Sequence, residues 1–210
     1  PPDDATEFSA VDAFAMPPFY KSPWRNGLKE GGRSMTDLWM VRIDRPMRQA
    51  ESEALLALLP RERRNRLHGH ALEKQPEVLC AYGLLLALLR KRCGWQGFPA
   101  VARNAEDKPF FPAYPGVCFS ISHTEGAAAA AVAETSIGVD IQRIQTPPRR
   151  LARLTGTDDP DAFFRSWVRL EACAKRTGAG ILHQLHEKAA PAPETVYSEI
   201  ETFPGYAAGA

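Results

Sequence analysis

Between residues 117 and 142 apolar and polar side chains alternate, and this pattern restricts the fold more than any other part of the chain. In "VCFSISHT" one face carries Val117, Phe119 and Ile121, and the other carries Cys118, Ser120 and Ser122. In "SIGVDIQRI" one face carries Ile137, Val139 and Ile141, and the other carries Gly138, Asp140 and Gln142. A period of two predicts two strands, each with one buried face. The intervening "GAAAAAV" fits a strand or a helix by composition, and its position favours a strand in a hairpin.

The first part of the chain predicts one strand and two helices. Residues 38–43 alternate as a strand does, and a helix over residues 50–59 is stopped by Pro60. A longer helix follows, with Pro76 near its first turn and Gly94 past its end. Because its apolar residues run nearly all round, this helix should be buried at the centre of the fold.

A second long helix is predicted in "DPDAFFRSWVRLEACAKRTGAG". Asp159 or Asp161 can cap its start, and Pro160 lies near the first turn. Gly178 can end it. A further strand is expected near residues 196–200, and the final "FPGYAAGA" reads as part of a last strand.

Length and charge narrow the class of protein. A chain of 210 residues makes one large domain or two small ones, and residues 1–35 read as an irregular leader. The net charge of +1 gives no reason to expect a nucleic-acid partner. The longest apolar run, residues 78–89, is shorter than the roughly 20 residues that a bilayer requires. The four cysteines form no CxxC pair, so we expect a soluble cytoplasmic protein with reduced thiols and no membrane contact.

Polar residues on a strand and on the second helix form the main candidate site. Trp167, Glu171 and Lys175 recur every four residues, so they share one helix face. Asp140 and Gln142 share one strand face. If the helix packs on that face, the oxygen donors converge into a site suited to Mg²⁺ and a phosphate. Without that packing, the glutamate and the lysine are an ordinary solvated ion pair and the tryptophan is a core residue.

The pair Ser122-His123 does not indicate a serine hydrolase. Neighbouring residues of a strand point to opposite faces, so this serine and this histidine are not a nucleophile and its base. The chain also lacks a GxSxG motif. A histidine at the end of a strand can instead hold a phosphate. In "EDKPFFP", Pro109 restricts the backbone of a turn, and Lys108 places a positive charge at that turn.

Four motifs in order give the chain a family resemblance. The segments "DKPFFP", "FSISHT", "GVDIQRI" and "WVRLEACAKRTGAG" span roughly residues 104–180. In order and spacing they resemble the 4′-phosphopantetheinyl transferases of the Sfp type. That family shows G-K-P, F-x-x-S-H-S, G-[VI]-D-[IV]-E and W-x-x-K-E-x-x-x-K segments. The early "MVRIDRP…LLPRERRNRLHGH" is similar to the family's opening.

The resemblance implies an activity and assigns roles to residues. Members transfer the phosphopantetheine arm of coenzyme A to a serine of an acyl or peptidyl carrier protein, use Mg²⁺, and release 3′,5′-ADP. The implied metal-binding residues are Asp140, Gln142 and Glu171. The implied catalytic residues are Glu171 and Lys175. The implied residues for coenzyme A are Lys108, Pro109, Ser122, His123, Arg63 and Arg66, although the choice among the arginines at 61, 63, 64 and 66 stays open.

The chain departs from the family pattern at several positions. Gln142 replaces the usual second carboxylate, Leu170 replaces a lysine, and Asp107 replaces a glycine. A neutral Gln142 weakens metal affinity, but two carboxylates are enough for Mg²⁺. These substitutions keep a second hypothesis open, a degenerate member that binds coenzyme A or a carrier without transfer. A nucleotide hydrolase is disfavoured because the chain has no P-loop.

The resemblance also implies the architecture. We expect an α+β fold of two similar α/β halves related by pseudo-two-fold symmetry, the 4′-phosphopantetheinyl transferase fold, with coenzyme A between the halves. After the leader, the N-terminal half would span residues 36–135 and the C-terminal half residues 136–210. The family type is usually monomeric.

Overall fold

The computed structural model describes residues 36–61, 63, 64, 76–181 and 197–210. Within these ranges the protein is α+β, with antiparallel sheets and helices on their faces. The helices are α1 (Gln49–Leu58), α2 (Pro76–Cys93), α3 (Arg149–Thr155) and α4 (Pro160–Thr177). The leader and Arg66 lie outside the described residues.

The described strands form three antiparallel sheets. The strands are β1 (Asp37–Arg42), β2 (Ala102–Arg103), β3 (Pro109–Phe110), β4 (Cys118–Thr124), β5 (Ala127–Ala133), β6 (Asp140–Arg143), β7 (Glu199–Ile200) and β8 (Tyr206–Gly209). The first sheet has the order β1-β5-β4, and the third has the order β6-β8-β7. Strands β2 and β3 pair with each other.

The alanine-rich strand β5 lies in the middle of the core. All of its residues are buried. One face packs against α2, and it carries Ala128, Ala130 and Val132. The other face packs against apolar residues of β6, β7 and β8, and it carries Ala127, Ala129 and Ala131. The layers therefore run from α2 through the two sheets to α4, and small side chains on β5 let the sheets approach closely.

Side-chain hydroxyls join the first sheet to the third. Three hydroxyls of β4 accept hydrogen bonds from backbone N–H groups at alternate positions of residues 139–143: Ser120 from Val139 (3.0 Å), Ser122 from Ile141 (3.3 Å) and Thr124 from Arg143 (3.3 Å). Buried backbone donors need partners, and here the side chains of one strand supply them for the edge of another. The polar face that alternation predicted for residues 118–122 is thus the face that meets β6.

Helix α4 covers the other face of the third sheet. Phe163, Phe164 and Val168 form a buried cluster with Ala207 of β8, and Trp167 stacks on Phe163. The cap predictions are confirmed: the Asp159 carboxylate accepts from the Ala162 N–H at 2.8 Å. At the other end Gly178 has φ +85°, which glycine adopts without strain.

Most of the sequence-based elements are confirmed, and the short ones were missed. The strands in residues 37–42, 118–124 and 127–133, the three longer helices and the all-round burial of α2 agree with the sequence patterns. Helix α3 and the β2–β3 pair were not predicted, because segments of two to seven residues carry too little periodicity. No helix in the described ranges has the combined length and apolarity needed to cross a bilayer.

Candidate active site

Asp140 is the centre of the candidate site. It starts β6, is only 1% exposed, and points to the face of the third sheet that meets α4. Its Oδ1 accepts hydrogen bonds from Ser122 Oγ at 2.6 Å and from Lys175 Nζ at 2.6 Å. Its Oδ2 accepts from Gln142 Nε2 at 3.1 Å. A buried carboxylate requires such partners, and these three side chains supply them.

Lys175 joins the helix to the strand through the same carboxylate. Its ammonium also donates to Ser122 Oγ at 2.9 Å, so lysine, serine and aspartate form a closed triangle. The Lys175 side chain is 30% exposed, which leaves one side of the ammonium open to solvent or a ligand. The predicted convergence of the helix face on the strand face is present for these residues.

Glu171 lies one turn before Lys175 on α4, and it is half-buried. Burial raises the pKa of Glu171, and the negative charge of Asp140 raises it further, whereas Lys175 lowers it. Two carboxylates that disfavour each other's ionisation are a common feature of catalytic and cation-binding sites. A carboxyl group with a raised pKa is also a stronger base than a free glutamate when it is ionised.

Gly138 brings the strand and the helix together. A Cβ atom at this position would overlap the carbonyl oxygen of Ala172 and lie 2.5 Å from the backbone nitrogen of Arg176. The backbone before β6 therefore packs directly on the turn of α4 that carries Glu171 and Lys175. The glycine of "GVDIQ" is required for this contact, and the contact sets the distance between Asp140 and the helix.

The oxygen atoms of the site meet only some of the requirements for binding a hard cation. Asp140 and Glu171 supply carboxylate oxygens, and Mg²⁺ is often held by one or two carboxylates while it keeps several waters. Gln142, a predicted ligand, turns its amide nitrogen to Asp140 and so acts here as a hydrogen-bond donor. Lys175 competes with any cation for Asp140. Within the described ranges, no group of three or more His, Cys, Asp or Glu side chains is arranged to hold a metal ion.

His123 lies on the other face of β4 from Ser122. Burial lowers the pKa of its imidazole, and the cations of Lys175 and Arg63 lower it further. Arg63 packs over Tyr82, with its guanidinium carbon 5.8 Å from the ring centroid. Arg63 also lines a pocket together with Pro109. The structure thus places two predicted coenzyme A residues at one pocket, and both Arg63 and Lys175 lie close enough to His123 to influence its charge.

Lys108 does not join the Asp140 cluster. Its ammonium donates to Ser136 Oγ at 2.8 Å, to the Ile137 carbonyl at 3.1 Å and to the Arg176 carbonyl at 2.6 Å. These bonds use the three donors of the ammonium, so in this arrangement the lysine fastens the end of α4 to the segment before β6. Its predicted contact with a phosphate stays a prediction.

Replacing Lys108 by methionine is expected to lower the free energy of unfolding by about 1–3 kcal/mol, because two backbone carbonyls lose a charged donor. Burial lowers the pKa of Lys108 to about 8, against 10.5 for a free lysine. Between these values the unfolded chain binds more protons, so this group makes stability rise with pH. Urea titrations from pH 7 to 10.5 should show the gap between the wild type and Lys108→Met widening. A difference in the free energy of unfolding that stays constant over this pH range would contradict a lowered pKa of Lys108.

Tyr197 is a neighbour of the site that sequence reasoning missed. It lies just before β7 and far along the chain from every motif. Its hydroxyl packs against Gly209, which is paired with Asp140 across β6 and β8. No spacing rule connects this tyrosine to a strand that precedes it by more than fifty positions.

Comparison with known proteins adds no assignment. No family model matches the chain, and no curated protein matches its sequence. The function is therefore inferred from the residues of the site and from their chemistry.

Proposed function

We propose that this protein is a Mg²⁺-dependent 4′-phosphopantetheinyl transferase that modifies a serine of an acyl or peptidyl carrier protein. The observation that supports it best is that Ser122 and Lys175 both donate hydrogen bonds to the buried carboxylate of Asp140. Glu171 lies one helical turn from Lys175. Those residues come from three separate motifs of the resemblance.

The chemistry of such a transfer suits these side chains. Transfer of a phosphoryl-type group depends mainly on positioning and on neutralising charge. Glu171 would accept the proton of the carrier's serine hydroxyl as the new phosphodiester bond forms and 3′,5′-ADP leaves. Lys175, with one side open, would place its positive charge beside the diphosphate. Mg²⁺, held by Asp140 and Glu171, would neutralise diphosphate oxygens and stabilise the leaving group.

Both parts of the fold are built in a similar way, which supports the finer architecture. Each combines a three-stranded antiparallel sheet with an 18-residue helix, α2 on the first sheet and α4 on the third. We propose that the two units are the pseudo-two-fold halves of a monomeric transferase, divided near residue 135. Coenzyme A would lie between them, along the edge where β4 meets β6.

One observation favours a second candidate, a degenerate member that binds coenzyme A or a carrier without transfer. Lys175 is bonded to Asp140 at 2.6 Å, and the amide of Gln142 occupies the other carboxylate oxygen. Both oxygens of Asp140 therefore already have protein partners. In this reading, the ion pair replaces the metal and the site keeps only its binding role.

A single assay separates the two candidates. The protein is incubated with coenzyme A, Mg²⁺ and a panel of apo carrier proteins, and the carriers are then measured by mass spectrometry. Addition of the phosphopantetheine mass to any carrier supports the transferase. Measurable coenzyme A binding with no modified carrier rejects transfer and favours the degenerate member, and a Glu171→Gln protein provides the background.

Substituting Gln142→Glu tests whether the amide stands in for a metal-binding carboxylate. The new carboxylate would face Asp140 Oδ2, and this repulsion should lower the Tm without metal by about 2–4 °C, the change expected for about 1 kcal/mol. Added Mg²⁺ should raise the Tm of the variant more than that of the wild type. Calorimetry with and without Mg²⁺ measures both, and an equal Mg²⁺ response in the two proteins would contradict a cation between these side chains.

A further inference from the structure

The hydroxyl of Tyr197 occupies the position beside Asp140 that a side chain of residue 209 would otherwise fill. Asp140 and Gly209 are direct partners across the antiparallel pair β6–β8. Partner residues direct their side chains to the same face, with Cβ atoms about 4.5–5.5 Å apart. A Cβ at Gly209 would overlap the Tyr197 hydroxyl and lie 2.7 Å from two ring carbons. Glycine at this position is therefore what admits the phenol to the site.

The same hydroxyl is buried and has no hydrogen-bond partner among the described residues. The guanidinium group of Arg169 packs over the Tyr197 ring, with its central carbon 5.3 Å from the ring centroid. The ring also borders a cavity of about 360 Å³, but the hydroxyl itself is not exposed there. A buried polar group without a partner costs stability, and such groups in folded proteins commonly mark functional sites.

Tyr197 is a donor at neutral pH. Burial raises the pKa of its phenol to about 12, and the negative charge of Glu199 adds to the effect. Asp140 also raises the pKa, which agrees with the closeness of the two side chains that the strand register implies. A protonated phenol that makes no hydrogen bond to a described residue has one hydrogen to offer to an additional acceptor.

We propose that Tyr197 is a further ligand-binding residue of this site, whose hydroxyl donates to an oxygen of the group held at Asp140. This inference rests on the proposed function, in which that oxygen belongs to the coenzyme A diphosphate. Its phosphate oxygens are negatively charged acceptors. The unpartnered hydroxyl then acquires its hydrogen bond only when the site is loaded.

The test compares Tyr197→Phe with the wild type in two measurements. The first is the Tm of the free protein, which should stay the same or rise, because the variant no longer buries an unpartnered hydroxyl. The second is coenzyme A affinity by calorimetric titration, with and without Mg²⁺, which should fall at least about tenfold, the usual size for a hydrogen bond to a charged group. A loss in both conditions identifies a diphosphate oxygen that contacts the phenol with or without metal, and a loss only with Mg²⁺ identifies a diphosphate oxygen that reaches the phenol when the metal is bound.

Tyr206→Phe is the matched control. Tyr206 lines the same cavity, and its hydroxyl donates to the Glu125 carbonyl at 3.1 Å. This variant should melt lower and bind coenzyme A as the wild type does. Unchanged coenzyme A affinity of Tyr197→Phe in both conditions overturns the inference, and so does weaker binding together with a lower Tm. A wild type that binds no coenzyme A rejects the proposed function itself.

Discussion

Replacing Gly138 by alanine is expected to destabilise the protein by about 3 kcal/mol or more, at the upper end of the range for overpacked sites. The added methyl group would overlap the carbonyl oxygen of Ala172 and press on the backbone nitrogen of Arg176. Both atoms belong to a helix backbone and cannot rotate away as a flexible side chain can. The strand or the helix must move, and Asp140 then separates from Lys175.

Chemical denaturation measures this effect, and Gly116→Ala and Gly97→Ala are suitable controls. A Cβ at either control position has no atom within 4 Å, so these variants should stay close to the wild type. If Gly138→Ala folds with wild-type stability, the close approach of "GVDIQ" to α4 is wrong. Loss of soluble protein for Gly138→Ala alone, with both controls soluble, agrees with the prediction.

Glu171→Gln is expected to reduce the rate of carrier modification at least about 100-fold, because an amide cannot accept the serine proton. The shape of the side chain is nearly unchanged. Glutamine is neutral, so the variant also lacks the repulsion between the half-buried carboxylate of Glu171 and the buried carboxylate of Asp140. We therefore expect the free energy of unfolding to stay the same or to rise. The rate of carrier modification should therefore fall without a fall in the free energy of unfolding.

The decisive measurements are single-turnover rates at saturating coenzyme A and the Tm of the free proteins. Arg165→Gln is a control on the same helix, since Arg165 makes an exposed ion pair with Glu199. It should leave the rate near that of the wild type. Wild-type turnover by Glu171→Gln would remove Glu171 from the reaction and overturn the site assignment.

The helix and strand predictions succeeded where the signal was local. Alternation over residues 117–122 identified the face of β4 that meets β6, and Asp159 and Gly178 marked the ends of α4. Asp107, noted as a departure from a family glycine, has φ +62°, a conformation that glycine adopts most easily.

The structure brings some of the predicted site residues together and keeps others apart. Asp140, Ser122 and Lys175 meet directly, because strand and helix periodicity both pointed toward one interface. Lys108 lies where the motif order predicts, but its ammonium donates a hydrogen bond to the backbone at the end of α4. Motif order gives the positions of residues along the chain. It does not say which acceptors will be nearest to a long, flexible side chain in the fold.

The sequence by itself determined the burial of α2, the limits of α4 and the placement of Asp140 and Gln142 on one strand face. These follow from periodicity and capping, which depend on neighbours within a few residues, whereas the α+β class was implied by the family resemblance. Only the tertiary structure decided that Lys175 neutralises Asp140, that Gly138 sets the approach of strand to helix, and that Tyr197 reaches the site across Gly209. Those contacts join positions far apart in the chain, and their geometry depends on how the sheets and helices pack.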